Sequence, residues 1–269
     1  MDPLAWALVY FPHHLRSAET GGEISFSQFH VDFAEAAKRW ARKDLEPAEV
    51  RDAWIAPRGA GKSTMAFLIF PAWALAHQHR RLIAAYAHNS SQTRRHLSNL
   101  KMELQTNELL NADYPELCVP AAKRSGGTVA DTQESYFAKS GVAIMAHGID
   151  SQTLGAKVGS QRPDLCLLDD IEPDASSYSM AQKEKRLETI RNSILGMNDR
   201  AVVQLCGTVT MSGSVMHDLV RHHLGQGDYP WVREEKIHTR YYRPIVTLDD
   251  GSQESLWPQR WSLEYLRSI

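Results

Sequence analysis

The sequence predicts an α/β fold, with a central, mostly parallel sheet covered by helices on both faces. Three observations predict it. Short apolar runs, among them Trp54-Ile55-Ala56, Leu82-Ile83-Ala84-Ala85-Tyr86, Leu165-Cys166-Leu167-Leu168 and Ala201-Val202-Val203-Gln204-Leu205-Cys206, have the length and composition of strands buried on both sides. Stretches with apolar residues at helical spacing lie between them, as the crossovers of a parallel sheet require. A glycine-bearing segment, Ala56-Pro57-Arg58-Gly59-Ala60-Gly61-Lys62-Ser63-Thr64, separates the first strand from a helix-like run, Met65 to Ala76.

In chain order, residues 1 to about 24 carry Pro3, Pro12, Gly21 and Gly22 and are expected to be irregular. From Ser27 to Arg42 the residues Phe29, Phe33, Ala36, Ala37 and Trp40 recur at helical spacing, with Ser27 as N-cap. Arg51 to Ala56 is the first core strand and Leu82 to Tyr86 the second. Asn89-Ser90-Ser91 caps a helix to about Thr106 with Leu97, Leu100 and Leu104 on one face. A hairpin is expected over 128–146, turning at Lys139-Ser140-Gly141. Ser179 to Leu195 reads as a charged amphipathic helix stopped by Gly196 at the C′ position, and Ser214 to Leu224 as a helix ending at Gly225. Asp249-Asp250-Gly251 has the chemistry of a hairpin turn.

A chain of 269 residues suits one large α/β domain, and 43% hydrophobic with 23% charged residues is ordinary for a soluble protein. The net charge of −2 gives no global basic signature, so a nucleic-acid partner would have to meet local patches. Arg80-Arg81, Arg94-Arg95-His96, Lys123-Arg124 and Lys183-Lys185-Arg186 are read first as solvated faces. Cys118, Cys166 and Cys206 lack metal spacing and are expected as small buried hydrophobes in a reducing compartment. His13-His14 and His222-His223 have no acid or cysteine at metal spacing, so no zinc site is expected. The run Met65 to Ala76 contains Pro71 and is too short to cross a bilayer, and Met1-Asp2-Pro3 lacks the basic start of a signal peptide.

The strand–loop–helix context of Ala56 to Thr64 is that of a phosphate-binding (Walker A) loop. Gly59 and Gly61 allow positive φ and close approach of a ligand, so backbone N–H groups, including that of Ala60, line an anion nest at a helix N-terminus. Lys62 supplies a point charge for the β- and γ-phosphates, Ser63 a hydroxyl for Mg2+, and Thr64 caps or packs. Ala56 stands where the first loop glycine usually does, a minor departure. The run Leu165 to Leu168 ends in Asp169-Asp170-Ile171-Glu172, placing acids at the carboxyl end of a buried strand, the Walker B position. Asp169 is the expected metal-linked carboxylate. Asp170 and Glu172 both stand as candidates to orient the attacking water: position favours the first and reach the second. Gly207-Thr208, at the tip of the next strand, could sense the γ-phosphate through a hydroxyl and pass the change to the following helix.

The order and spacing of these motifs resemble the ATPase domain of large terminase subunits, the DNA-packaging motors of tailed bacteriophages. The likeness includes Ser27-Gln28-Phe29-His30, the loop with Arg58 inside it, Arg162-Pro163-Asp164 leading into Leu165 to Glu172, Gly207-Thr208 with Asp218-Leu219 downstream, and Leu256-Trp257-Pro258-Gln259-Arg260-Trp261-Ser262. The resemblance implies a P-loop NTPase of the RecA-like, ASCE type that uses ATP and Mg2+. It implies that Arg58 stabilises the γ-phosphate in cis and that Gln28 reads adenine. A neighbouring subunit would supply an arginine finger, sought around Lys157 and Arg162. The expected organisation is one ATPase domain over 1–269, with 1–50 a helical, adenine-side segment, 51–225 the nucleotide-binding core, and 226–269 an extension toward a nuclease domain that is removed or a separate gene product. No nuclease activity is therefore expected. The implied partners are double-stranded DNA, the portal protein and procapsid, the small terminase subunit and further copies of the chain in a ring, a pentamer on the portal. The implied place is the host cytoplasm, docked on the procapsid and absent from the mature virion. Two alternatives stand beside the motor: a non-catalytic, nucleotide-dependent assembly module and a P-loop small-molecule kinase.

Overall fold

The computed structural model describes residues 1–16, 21–46, 49–151, 160–173 and 179–268. The helices are α1 (Pro3–Tyr10), α2 (Pro12–Leu15), α3 (Gln28–Lys38), α4 (Phe70–Ala76), α5 (Ser90–Thr106), α6 (Glu108–Asp113), α7 (Pro115–Cys118), α8 (Met180–Glu188), α9 (Val215–His223), α10 (Pro230–Glu234) and α11 (Leu263–Ser268). The strands are β1 (Arg51–Ile55), β2 (Leu82–Ala87), β3 (Asp131–Thr132), β4 (Ser135–Phe137), β5 (Ala143–Gly148), β6 (Leu165–Asp169), β7 (Val202–Gly207), β8 (His238–Tyr241), β9 (Ile245–Thr247) and β10 (Gln253–Ser255).

Eight strands form one sheet in the order β3-β4-β5-β2-β6-β7-β1-β8. Every pairing from β5 to β8 is parallel, and only the β3–β4–β5 edge is antiparallel. The remaining pair, β9 and β10, makes a separate antiparallel hairpin whose turn contains Gly251 at φ 83°. Strand β7 lies between the strand that leads into the glycine loop and the strand that ends in the acids.

Side chains two apart on a strand share a face, and the sheet uses this to build two cores. Trp54, Leu165 and Leu167 join the cluster beneath α1, α3, α4 and α5, while Ala53, Ile55, Cys166 and Leu168 join the cluster with Ile190, Ile194, Leu219 and Trp231. Leu97, Leu100 and Leu104 are buried along α5, as their spacing predicts. All three cysteines are buried and unpaired.

Several elements differ from the sequence expectation. Residues 1 to 24 are not irregular throughout, because Asp2 caps α1 by accepting from the N–H groups of Leu4 and Ala5 at 2.9 and 3.1 Å, with Pro3 in the first turn. The helix after the loop begins with a π-wound stretch, Thr64–Ile69, before α4. Pro71 follows directly on that stretch inside a continuous helix, where it removes one backbone donor. The helix from Met180 likewise ends in a π-wound stretch, Thr189–Leu195. Gly196 has φ −77°, not the left-handed value expected at C′. Its need is steric: a Cβ there would stand 2.7 Å from the Asn192 carbonyl oxygen. Strand β8 was not expected, since its polar residues show no strand pattern; it is an edge strand held to β1 by backbone pairing.

Candidate nucleotide site

The register of the sheet brings the predicted residues to one edge. Asp169 is level with Cys206, and Ile55 is level with Gly207, so the ends of β6, β7 and β1 stand side by side. The loop leaves β1 there and turns through Gly59 at φ 79° and Gly61 at φ 78°, as expected. Both glycines are also closely packed. A Cβ at residue 59 would meet the Trp261 ring at 3.3 Å, and one at residue 61 would meet His30 Nε2 at 3.2 Å. The extension after β10 thus reaches back to the loop. Arg260 lies over the rings of Trp257 and Trp261, 5.2 and 5.7 Å from their centroids.

His30 forms the floor on the other side. Its Nδ1 accepts the Ser27 N–H at 3.0 Å, and its ring packs edge-on against Trp257 at 4.6 Å. Burial, with the charge of Arg260 adding to it, lowers its pKa to about 4, so the ring is neutral beside the loop at physiological pH.

The loop and the acids are in direct contact. Ser63 Oγ donates to Asp169 Oδ2 at 2.6 Å, and Asp169 is fully buried. Among the described residues, Asp169 Oδ1 has no hydrogen-bond partner. A hydroxyl beside a buried carboxylate with an unused oxygen is a hard-oxygen donor set that fits Mg2+, which would be held through Ser63 and Asp169. His96, on α5, brings Nε2 to 3.2 Å from Asp169 Oδ2 and lays its ring against Phe67 at 4.7 Å. Sequence reasoning missed this histidine, grouping it with Arg94 and Arg95 as a basic cluster; only the crossing of α5 over the sheet places it.

Lys62 is turned into the protein. Its ammonium donates to the carbonyl oxygens of Ala56 and Pro57 at 2.8 and 2.9 Å and to Thr208 Oγ1 at 2.8 Å. Burial pushes its amine below the ordinary lysine value, while Asp170, Cys206 and Asp169 pull the other way. Thr208 in turn donates to Ala56 O at 3.1 Å. The loop lysine and the β7 tip are therefore joined through one hydroxyl.

The two remaining acids part company. Asp170 adopts φ 40°, a left-handed conformation that aspartate tolerates better than most residues, while its N–H donates to Cys206 O at 3.0 Å. It lines a cavity of about 220 Å³ together with Arg58, Gln92, Glu172 and Thr208. Although the residue is exposed, the cavity walls remove water from its carboxyl. That loss, with the adjacent Asp169 carboxylate, raises its pKa above the usual aspartate value; Lys62 and Arg58 oppose the rise. Glu172 reaches the same cavity, but both its oxygens are engaged: they accept the Val215 and Met216 N–H groups at 2.7 and 3.0 Å, anchoring the start of α9.

Gly207 lies against α9 as well, for a Cβ there would stand 2.8 Å from Met216 Sδ. Ala60 is buried in the loop, and Thr64 opens the π-wound stretch and lines a small cavity with Gly61, His30 and Trp257. Gln28 is exposed at the start of α3, where its amide donates to Asp32 at 2.7 Å. Arg162 precedes β6, at the opposite end of that strand from Asp169, and donates to Met197 O at 2.5 Å. Lys157 lies outside the described residues.

No family model matches the chain, and no curated protein matches it. Two solved phage proteins are similar in structure. One is a large terminase from a thermophilic bacteriophage in complex with ADP, at 14% identity and TM-score 0.43, matched over 81% of this chain and 45% of that one. The other is the N-terminal domain of the DNA packaging ATPase from bacteriophage phi29, at 12% identity and TM-score 0.41, matched over 77% of this chain and 89% of that one. This chain thus spans less than half the length of the first. At such low scores and identities, the functional reading rests on the residues of the site itself.

Proposed function

We propose that this chain is an ATP-hydrolysing DNA-packaging motor domain of the large-terminase kind. The observation that carries the hydrolysis reading is the 2.6 Å contact between Ser63 and Asp169, which joins the glycine loop to the β6 acid at one sheet edge. The step to a DNA motor is supported by the order of motifs along the sequence, from Ser27 to Ser262.

In this reading the loop amides and Lys62 receive the phosphates, so Lys62 exchanges its loop carbonyls for phosphate oxygens. Ser63 and Asp169 would hold Mg2+, which would supply positive charge against the phosphate oxygens. Asp170, which lines the cavity beside the loop, orients and deprotonates the attacking water. Arg58, on the wall of the same cavity, stabilises charge on the γ-phosphate. Thr208, relieved of Lys62, passes the change to α9, which Glu172 and Gly207 tie to the same edge. Within 226–269, β8 joins the main sheet and Trp261 lies against Gly59, which supports placing the end of this segment beside the nucleotide. Gln28 would turn from Asp32 to the adenine. Double-stranded DNA, the portal and procapsid, the small subunit, a trans-acting finger and a ring of copies docked on the procapsid in the host cytoplasm belong to this proposal.

Phosphate release by the purified chain with ATP and Mg2+, with and without duplex DNA, tests it. Turnover without any added acceptor, lost when Mg2+ is chelated, is expected; a requirement for a small-molecule acceptor would replace the motor by a kinase. Flat, negligible turnover in assembled rings would leave an assembly module instead.

A further inference from the structure

A second candidate ion site lies away from the sheet edge. The sequence offers no acid at metal spacing from His13 and His14, yet α5 carries one to them. Glu103 Oε1 lies 3.0 Å from His13 Nε2 and 2.8 Å from His14 Nε2. The two rings are 4.4 Å apart, and the three ligand atoms lie within 4.8 Å of one another. We propose that His13, His14 and Glu103 bind a divalent transition-metal ion of the zinc class through two imidazole nitrogens and one carboxylate oxygen.

The scaffold holds these groups before any ion arrives. α2 is fixed on either side by Phe11 and Leu15, which are buried, and the Phe11 ring stacks on His13 at 6.2 Å. Glu103 is buried in the last turn of α5. Its other oxygen accepts from Asn107 Nδ2 at 3.1 Å, and that amide also donates to Tyr10 O at 2.6 Å. The carboxylate is thus clamped from behind with Oε1 toward the imidazoles, the outer-shell support usual for metal ligands. Burial alone would raise the Glu103 carboxyl, but hydrogen bonds from His13, His14 and Asn107 outweigh it and keep it below the ordinary glutamate value.

The donor set selects the ion. Two imidazoles with one carboxylate suit zinc, cobalt, nickel or copper rather than Mg2+ or Ca2+, which take oxygen ligands. Bonds of about 2.0–2.1 Å in a tetrahedron require ligand atoms about 3.3 Å apart. The observed 2.8 and 3.0 Å are shorter than this, so the two rings would draw back from the oxygen to admit the ion. The His13 and His14 side chains are 53% and 31% exposed, which gives an entry path and leaves a fourth position facing water. Hydrogen bonding alone crowds two rings onto one oxygen, whereas a cation engages all three groups together.

Titration of the nucleotide-free chain with Co2+ tests the site. The expected result is one equivalent bound at micromolar Kd or tighter, with the strong visible bands of a tetrahedral N/O centre, displaced by Zn2+. His13→Ala alters a half-exposed side chain and Glu103→Gln keeps a partner for Asn107; each is expected to weaken binding roughly tenfold or more. A wild-type chain without those bands, or bands that persist unchanged in both variants, would overturn the assignment. If one variant is unfolded by circular dichroism, the other decides.

Discussion

Asp169 and Glu103 make an instructive pair. Both are buried carboxylates, and both meet imidazole nitrogen at about hydrogen-bond distance, Asp169 through His96 and Glu103 through His13 and His14. Asp169 ends a strand, so four apolar residues before it announce its position, and its partner Ser63 lies in a loop whose glycines announce theirs. Glu103 sits in the last turn of a helix, and its partners come from a segment some 90 residues away. A site made at the ends of adjacent parallel strands inherits its layout from the fold, whereas a site made between a short terminal helix and a long one depends on tertiary packing that local pattern does not encode.

The largest expected effect breaks the first member of the pair. Lys62→Ala should lower ATP turnover by roughly 10² to 10³, because the phosphates lose a preorganised charge. Wild-type rates in steady-state phosphate release would remove the nucleotide site altogether. Next comes the division of labour at the β6 end. Asp170→Asn is expected to cost roughly 10² in turnover. Glu172→Gln should instead lower stability by about 1–2 kcal/mol, through loss of charged acceptance at the start of α9, while turnover falls less than tenfold. Urea melts and phosphate release on the two variants decide this, and a reversed pattern would move the water-orienting role to Glu172.

The smallest effect sharpens the comparison from the Glu103 side. Its carboxyl titrates below the ordinary glutamate value of 4.5 in the folded chain. A depressed folded pKa gives stability that is complete above the unfolded value and is lost as pH falls through the folded one. With no metal added, wild type should therefore melt above Glu103→Gln at neutral pH, and the gap should close below about pH 4.5, with His13 and His14 the imidazoles facing the carboxylate. A gap that persists at pH 3 would mean that the carboxylate charge is not what holds α2 to α5.

Much of the sheet edge was legible in advance. Positive φ at Gly59 and Gly61 followed from their spacing, and the Ser63–Asp169 meeting from the strand–loop–helix and strand–acid patterns. The inward turn of Lys62 onto Thr208 was not, because it depends on a parallel neighbour 146 residues along the chain. The capping role of Glu172 was hidden for the same reason, since its partners are the N–H groups of Val215 and Met216. At the N-terminus the prolines were read as breakers, although Asp2-Pro3 is also the signature of a helix start. Strand β8 carries no apolar alternation and is defined by its backbone partner alone.

The absent side chain at Gly207 has a mechanical consequence. Met216 Sδ would stand 2.8 Å from a Cβ at this position, so the tip of β7 and the first turn of α9 pack directly on one another through the methionine. A side chain at residue 207 would have to displace Met216 from its place against the strand end, so this position is where the strand and the helix are most closely joined.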